Sequence, residues 1–279
     1  APFMQTKSPS DAGRIQFTID DKGSRFDLLV DESRQDIFIN ALINYLLREK
    51  NSWTEVFLNY LPTFSPHYPV LKQTAGKQNL LIGENYFSSP VIHLPVDWED
   101  YLAERKKKFR ANLRSNIRKA EKSGLSCRLI RDGNQIELLL EQIFAIESKT
   151  WKQQEGTSLV ADEKSRRFYT KVIQAAVKTG SLYLGMMEKD GMPVAYDFNW
   201  ARSDTVYSLK MGFDEAFRKY APGKVLFAYT IQKSIEDNFK HHELMGINEG
   251  FKTEWTSNEQ VHSRCHLYHP GMMSRIQYL

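Results

Sequence analysis

The chain has 279 residues, 41% of them hydrophobic and 12% aromatic, with 38 Lys and Arg against 34 Asp and Glu. This apolar content excludes a mainly disordered chain, and the apolar runs are too short for a membrane-spanning helix. Two cysteines, Cys127 and Cys265, exclude a disulfide-stapled fold; a reducing, cytoplasmic location is expected, and the first residues do not resemble a secretory signal.

The first 97 residues predict short strands around one helix. Residues 1–13 are expected to form a loose terminus, and 62–90, rich in Pro, Gly, Ser and Asn, mostly loop. An amphipathic helix is predicted over 34–49. The side chains expected on its buried face are Ile37, Ala41, Leu42, Tyr45 and Leu46. The predicted strands are 14–19, 25–30, 53–58 and 91–94.

Residues 98–124 form the most basic stretch and predict a single helix, which joins two halves of the chain. The apolar residues fall on one stripe, and Gly124 suits the position after the last turn. Basic side chains recur at every fourth position, namely Lys106, Arg110, Arg114, Arg118 and Lys122. Like charges at this spacing repel. The row is therefore either a solvated face beside acidic neighbours or a surface that meets an anion, such as a lipid head group, a cofactor or RNA.

The second half predicts a strand, two helices, three strands, a helix and further strands. Three consecutive strands in the middle exclude a doubly wound Rossmann order. The predicted strands are 127–130, 182–187, 194–200, 206–213 and 242–247, with one or two more beyond Val261. The predicted helices are 134–151, 163–179 and 223–239. Asp190-Gly191 is a strong hairpin signal. The early helix–strand pair resembles the late one, which hints at a partial internal repeat.

The segment 220–226, Tyr-Ala-Pro-Gly-Lys-Val-Leu, starts the last predicted helix. Pro222 suits the first helical position, and Gly223 lets a ligand approach the backbone. Free N–H groups and the helix dipole at such a start favour an anion. The basic residues around it are Arg218, Lys219 and Lys224. The segment predicts either a pyrophosphate site or an ordinary Pro-Gly helix start with solvated lysines.

The loop 246–255 carries acids, a lysine and two large aromatic residues after a predicted strand. Lys252 could neutralise an oxyanion and Glu249 could act as a base. Alternatively, this is a surface loop that Phe251 and Trp255 pin to the core. The loop is favoured as functional because it follows a strand end near the predicted phosphate site.

Polar side chains also alternate along the predicted strand 194–200. Asp197 and Asn199 share a face that is either solvated or lines a cleft, and Tyr207 lies on the next strand. No metal site is expected, because on a strand Cys265 points away from its histidine neighbours. Those neighbours are His262 and His266, and His269 is the fourth residue of the group considered for a metal.

Three segments resemble known acyltransferases. The element order from Ser126 onward resembles the GNAT fold. The helix segment 113–121 resembles the basic helix of the CelD/BcsL cellulose-biosynthesis group. Residues 220–223 resemble that group's Tyr-Ser-Pro-Gly phosphate turn, with Ala221 in place of serine, and 251–255 resemble its Tyr-Lys-x-x-Trp segment. The layout is also similar to Fem-type aminoacyl-transferases, which join two GNAT-like halves.

The resemblance implies an α+β, GNAT-like fold, with a mixed, mostly antiparallel sheet and flanking helices, in a tandem arrangement whose first half is partial. It divides the chain into a partial GNAT-like half at 1–97, the basic connecting helix at 98–124 and an acyltransferase domain at 125–279. The implied acyl-CoA is a co-substrate; no permanently bound cofactor is expected. The acyl group would pass to an amine or hydroxyl on a sugar, peptide or lipid-linked acceptor, in polysaccharide or cell-envelope biosynthesis.

The hypothesis of an acyltransferase gives roles to named residues. The catalytic ones are Lys252, Glu249 and Asp197. The acyl-CoA-binding ones are Met211, Gly212, Arg218, Lys219, Tyr220, Pro222, Gly223 and Lys224. The acceptor-side ones are Tyr207, Phe251 and Trp255. Two alternatives stay open. One is a Fem-type transferase that uses aminoacyl-tRNA, which the basic helix suggests, and the other is a non-catalytic interaction protein.

Overall fold

The protein is described from a computed structural model, and the residues described are 3–6, 13–18, 23, 25–150, 158, 160, 162–248 and 250–269. Their contacts separate two compact units. Unit 1 takes in the described residues within Ala1–Pro90, Gly246–Asn248 and Glu259–Leu279. Unit 2 takes in those within Val91–Met245 and Glu249–Asn258. The three-part division implied by the resemblance stays a prediction about domains.

Ten strands and seven α-helices form the regular structure of these residues. The strands are β1 Phe3–Gln5, β2 Arg14–Phe17, β3 Glu55–Pro62, β4 Leu81–His93, β5 Leu125–Ile130, β6 Leu182–Lys189, β7 Met192–Arg202, β8 Thr205–Phe213, β9 His241–Glu243 and β10 Glu259–Tyr268. The helices are α1 Gln35–Arg48, α2 His67–Lys77, α3 Trp98–Ala103, α4 Lys107–Lys122, α5 Ile136–Glu147, α6 Glu163–Lys178 and α7 Pro222–Glu236. Among the described residues, no helix combines the length and the apolar character needed to cross a membrane.

In unit 1 the strands run in the order β1-β2-β3-β10-β4. The β2–β3 pair is parallel and the other pairs are antiparallel. Ile39 and Ile43 of α1 and Leu71 of α2 pack with Val56 and Leu58 of β3 in one hydrophobic core. Ile37 and Tyr45, by contrast, are exposed, so the buried face predicted for α1 is rotated from the observed one.

In unit 2 the order is β4-β9-β8-β7-β6-β5, and only the β8–β9 pair is parallel. Successive residues of a strand point to opposite faces of its sheet. Accordingly, Met186 packs in a core with α5 and α6, whereas Met187 packs in another with residues of α4 and α7. The predicted GNAT-like fold class, with mixed, mostly antiparallel strand pairing and flanking helices, is confirmed.

Several predicted elements are wrong in the first 97 residues. The expected loop at 62–90 contains α2 and most of β4. Pro69 lies in the first turn of α2, where a helix does not need its N–H, so a proline-rich segment still folds as a helix. The terminus contributes β1, which pairs with β2, and 25–30 is not a strand.

The predicted basic helix is two helices, since Lys106 is extended between α3 and α4. The Arg110 guanidinium donates to the carbonyls of Ala103 and Arg105, 3.0 Å each, and so satisfies acceptors at the end of α3. The last predicted strand, 242–247, is also shorter: β9 ends at Glu243, because Met245 and Gly246 both have positive φ and turn the chain away.

Candidate functional site

A cavity of about 280 Å³ opens in unit 2 where the end of β8, the start of α7 and the turn 250–255 meet. Its lining residues are Thr150, Met211, Gly212, Phe213, Gly223, Lys224, Phe227, Phe251, Glu254 and Trp255. The structure thereby brings together several residues singled out from the sequence, namely Met211, Gly212, Gly223, Lys224, Phe251 and Trp255. The walls are mostly apolar and include four aromatic side chains, and Lys224 and Glu254 supply charge.

The strand pairing of unit 2 creates this opening. Within β8, the short β9 pairs with Thr205–Tyr207, so β8 continues past the end of that pairing to Phe213. The chain then turns and enters α7 at Pro222. A cavity at the end of a strand and the start of a helix brings backbone amide groups of both elements to one place.

Among the residues that the structure describes, no side chain caps the start of α7. Ala221 lies in the left-handed region with φ 51°, and its methyl group offers no acceptor to the first turn. The first N–H closed by the helix is that of Val225, which donates to the Ala221 carbonyl over 3.0 Å. The amides of Gly223 and Lys224 come before it, at the positive end of the helix dipole.

Gly212 and Gly223 differ in how much room they leave. A Cβ on Gly212 would lie 2.5 Å from Glu147 Oε1 and 2.8 Å from Tyr196 Cε1. The Tyr196 hydroxyl donates to the same Glu147 oxygen over 2.6 Å, and both side chains are fully buried. Burial, followed by the Glu147 carboxylate, raises the pKa of Tyr196 well above its usual range. A Cβ on Gly223 would meet Phe213 at an ordinary 3.4 Å.

The two charged groups of the cavity form an ion pair. Lys224 Nζ lies 2.5 Å from Glu254 Oε2, with 26% and 53% of the two side chains exposed. The ammonium also lies 4.7 Å from the centre of the Phe109 ring. Lys224 is therefore already compensated, and an anionic ligand would have to compete with Glu254.

Trp255 is the best-anchored wall of the cavity. Its ring packs edge-on against Phe109 and Phe227, with centroids 5.0 and 4.8 Å away. Its carbonyl accepts hydrogen bonds from the Tyr101 hydroxyl at 2.8 Å and from Arg105 at 2.6 Å. The turn 250–255 is thus fixed to α3 and to the link that precedes α4.

Two of the residues given catalytic roles, Lys252 and Asp197, do not line the cavity. Lys252 donates a hydrogen bond from Nζ to the Met245 carbonyl over 2.6 Å, so its ammonium connects the turn to the residues that follow β9. Asp197 is buried beneath α7, where burial raises the pKa of its carboxyl to about 6 against a hydrogen bond from Thr230 that lowers it. Glu249 lies outside the described residues.

The remaining predicted site residues are also outside the lining. Arg218 pairs with Glu215 at 2.6 Å on the surface. The Lys219 carbonyl accepts from Lys119, and the Lys219 ammonium lies over the Tyr220 ring. Pro222 is buried as the first residue of α7, and Tyr207 lies in the part of β8 that β9 covers.

The sequence placed the thioester carbonyl near the backbone at Met211–Phe213, but it gave no site role to the side chains of four lining residues, namely Thr150, Phe213, Phe227 and Glu254. Phe227 follows Gly223 by one helical turn, so helical spacing places both on one face. Phe213 and Glu254 are neighbours of predicted residues in the chain. Thr150 follows the end of α5, and no local pattern connects it to the site.

A family model described as an acetyltransferase (GNAT) domain matches residues 107–253. The chain belongs to this GNAT family. The match runs from α4 to the turn that carries Lys252, so it contains most of the cavity lining. The search against curated proteins returned no match.

Solved structures show the same fold over nearly the whole GNAT-family chain. L-PGS from Bacillus licheniformis is 12% identical with a TM-score of 0.64, covering 99% of this chain and 82% of the other. The C-terminal DUF2156 domain of an Agrobacterium fabrum protein assigned as a lysylphosphatidylglycerol synthetase is 10% identical, with a TM-score of 0.62 and coverage of 96% and 81%. FemX is 11% identical, with a TM-score of 0.60 and coverage of 99% and 85%. At such identities the likeness concerns the fold.

Proposed function

We propose that this chain is an acyltransferase that moves an acyl group from acyl-CoA to an amine or hydroxyl. The observation that carries the proposal is the cavity itself: in a GNAT domain, an uncapped helix start, the end of β8 and an aromatic wall meet around one space. Helix starts favour anions and aromatic walls favour an apolar chain. The cavity thus fits a donor with a diphosphate at one end and an acyl group at the other.

The roles of the residues follow from their places. The Gly223 and Lys224 amides hold the diphosphate of the donor, and the backbone at Met211–Phe213 lies beside its thioester carbonyl. The acceptor's nitrogen or oxygen attacks that carbonyl carbon, the carbon–sulfur bond breaks, and the thiol leaves with a proton. Glu254 is the carboxylate that lines the cavity, so we assign it, rather than buried Asp197, to take the proton from the acceptor.

Lys252 keeps its proposed role beside an aromatic residue in stabilising the transition state, as the resemblance to Fem-type enzymes implies. Its hydrogen bond to the Met245 carbonyl supports a second role, that of holding the turn 250–255 in place. A polysaccharide or cell-envelope acceptor likewise rests on the resemblance to the CelD/BcsL group.

An aminoacyl donor is the second candidate. It is supported by the fold shared with FemX and with L-PGS over 99% of this chain. An aminoacyl-tRNA donor would bind through phosphates, so its affinity would fall steeply with salt, because each phosphate contact releases counterions. Retention of tRNA at low salt, lost as salt rises, would favour this candidate. Loss of retention at every salt concentration would exclude it.

The test of the first candidate is the melting temperature of the full chain with acetyl-CoA and longer acyl-CoAs. A ligand at 100 times its Kd adds about 2.7 kcal/mol, which shifts Tm by roughly 5–10 °C in a chain of this size. Gly223→Leu should fill the cavity and abolish the shift. Gly223→Ala is the matched control, because its Cβ meets only ordinary contacts.

Three results would decide the outcome. A shift in the wild type that survives Gly223→Ala and disappears in Gly223→Leu supports the proposed donor site. A shift that also survives Gly223→Leu would remove this cavity as the donor site. No shift with any acyl-CoA would overturn the proposal and leave the aminoacyl donor and a non-catalytic interaction protein as the remaining candidates.

A further inference from the structure

A second concavity of about 430 Å³ lies beside the cavity in unit 2. It is lined by the link between α3 and α4, the first turns of α4, Lys224 of α7, and residues at the end of the 250–254 turn and just after it. Lys224 and Glu254 line both spaces, so their ion pair stands between them. We call this second space the basic groove.

The basic groove carries an excess of positive charge. Its cationic side chains are Arg105, Lys106, Lys108 and Lys224, and its acidic ones are Glu104 and Glu254. Lys106 and Lys108 are exposed, and among the described residues no carboxylate pairs with either of them. Lys106 and Lys108 are separated by one residue at the start of α4, so their ammonium groups can offer several hydrogen-bond donors to one anion.

Arg105 gives the groove a fixed cation. Its side chain is only 10% exposed. One terminal nitrogen pairs with the Glu104 carboxylate, and the other donates a hydrogen bond to the Trp255 carbonyl. The buried Nε donor has no hydrogen-bond partner among the described residues. An unsatisfied buried donor of a charged group is costly, so it points to an acceptor that the described residues do not supply.

We propose that the basic groove binds a phosphate group of a substrate, through Arg105, Lys106 and Lys108, and that this phosphate separates Lys224 from Glu254. The inference deepens the proposed function, since it gives the transferase a second anion site next to its reaction cavity. A partly exposed ion pair is weak. A phosphate carries more charge than the Glu254 carboxylate and competes with it for Lys224.

Opening that ion pair has a consequence for the reaction. Once Lys224 turns to the phosphate, the Glu254 carboxylate leaves the ion pair and can accept a hydrogen bond from the acceptor substrate. The basic groove and the cavity also become continuous, so a ligand with an anionic end and a reactive end can occupy both. Phosphate binding would therefore assemble the site at the moment a substrate arrives.

The test measures binding of inorganic pyrophosphate to the full chain by calorimetry at low salt. Lys106→Ala and Lys108→Ala should each weaken binding about tenfold, the loss expected for a hydrogen bond between charged groups. Lys107→Ala is the matched control: Lys107 is an exposed lysine between the other two, but it does not line the groove. It should change Kd less than about twofold, because only a screened charge is lost.

Glu254→Gln supplies a result of opposite sign. It removes the carboxylate that competes for Lys224, so it should tighten pyrophosphate binding several-fold, whereas a general loss of fold would weaken it. Equal effects of Lys106→Ala, Lys108→Ala and Lys107→Ala, or no binding of pyrophosphate at all, would overturn the inference. Weaker binding in Glu254→Gln would refute the separation of the ion pair.

Competition with acetyl-CoA identifies the source of the phosphate. If pyrophosphate and acetyl-CoA exclude each other and the groove variants weaken both, the phosphate belongs to the donor. If both bind together, it belongs to the acceptor. The inference and the proposed function can fail separately. Pyrophosphate can bind the basic groove when no acyl-CoA raises the melting temperature, and acyl-CoA can still raise the melting temperature of variants whose basic groove no longer binds pyrophosphate.

Discussion

The two glycines of the cavity make a matched pair for a stability experiment. Both line the same space, and the perturbation is the same added methyl group in Gly212→Ala and Gly223→Ala. At Gly212 the new Cβ would lie 2.5 Å from Glu147 Oε1 and 2.8 Å from Tyr196 Cε1, closer than real Cβ contacts come. At Gly223 it would meet Phe213 at 3.4 Å.

The magnitude follows from what must move. Both neighbours of Gly212 are fully buried, and the carboxylate that would be pushed away holds the Tyr196 hydroxyl at 2.6 Å. Overpacking a core costs about 1–3 kcal/mol, and losing a hydrogen bond to a charged group about 1.5–3 kcal/mol. Because the two effects overlap, Gly212→Ala should lower the free energy of unfolding by about 2–5 kcal/mol.

Gly223→Ala should behave differently. An added Cβ makes only ordinary contacts at this position, which lies in the first turn of α7. Alanine has fewer accessible backbone conformations in the unfolded chain than glycine, so the substitution lowers the entropy lost on folding. We expect a change of less than about 1 kcal/mol, in the stabilising direction. Urea titration of both variants, followed by circular dichroism with the wild type alongside, measures the difference. Equal stability of the two variants would refute the reasoning from the Gly212 contacts.

Three further predictions concern buried polar groups. Burial raises the pKa of Asp197 to about 6, so the folded carboxyl keeps its proton above the unfolded value of 3.8 and stability falls as pH rises through that window. Asp197→Asn should therefore be more stable than the wild type above pH 6 in urea titrations, with the gain absent below 3.8; a constant difference would contradict this. Burial also raises the pKa of Glu55, but hydrogen bonds from His266 and Arg14 outweigh it and lower the pKa to about 2. The stabilisation by the ionised Glu55 is present above pH 4.5 and is lost as the pH falls towards 2. Glu55→Gln should therefore lower the melting temperature at neutral pH and match the wild type near pH 2. Tyr101→Phe removes one of two donors to a cavity-wall carbonyl and should cost about 1 kcal/mol in urea titrations; an unchanged midpoint would mean that the other donor suffices.

Local signals in the sequence were read correctly because their physics is local. The Asp190-Gly191 turn joins β6 to β7 with both residues at positive φ, as a two-residue hairpin needs. Pro222 begins α7 because its missing N–H costs nothing there. The proline-rich segment 62–90 defeated the same reasoning, because composition alone does not reveal that α2 and β4 bury side chains against the rest of unit 1.

Residues that meet across long sequence separations lay beyond such signals. The ion pair of Lys224 with Glu254 crosses thirty positions, and the hydrogen bond of Tyr101 to Trp255 crosses more than a hundred. Gly212 lies close to Glu147 because the end of α5 packs on β8 at the level of Gly212. Each of these is set by how helices pack on the sheet, and a side chain's own neighbours in the chain carry no record of it.

By itself, then, the sequence determined the order of the later elements and the helix start at 222–223, because propensity, turn geometry and capping act over a few residues. Only the tertiary structure decided that Lys252 binds a carbonyl, that Asp197 is buried beneath α7 and that Glu254 faces Lys224 in the cavity. A side chain's chemistry depends on its desolvation and on the charges within a few ångströms, and the packing of distant segments sets both.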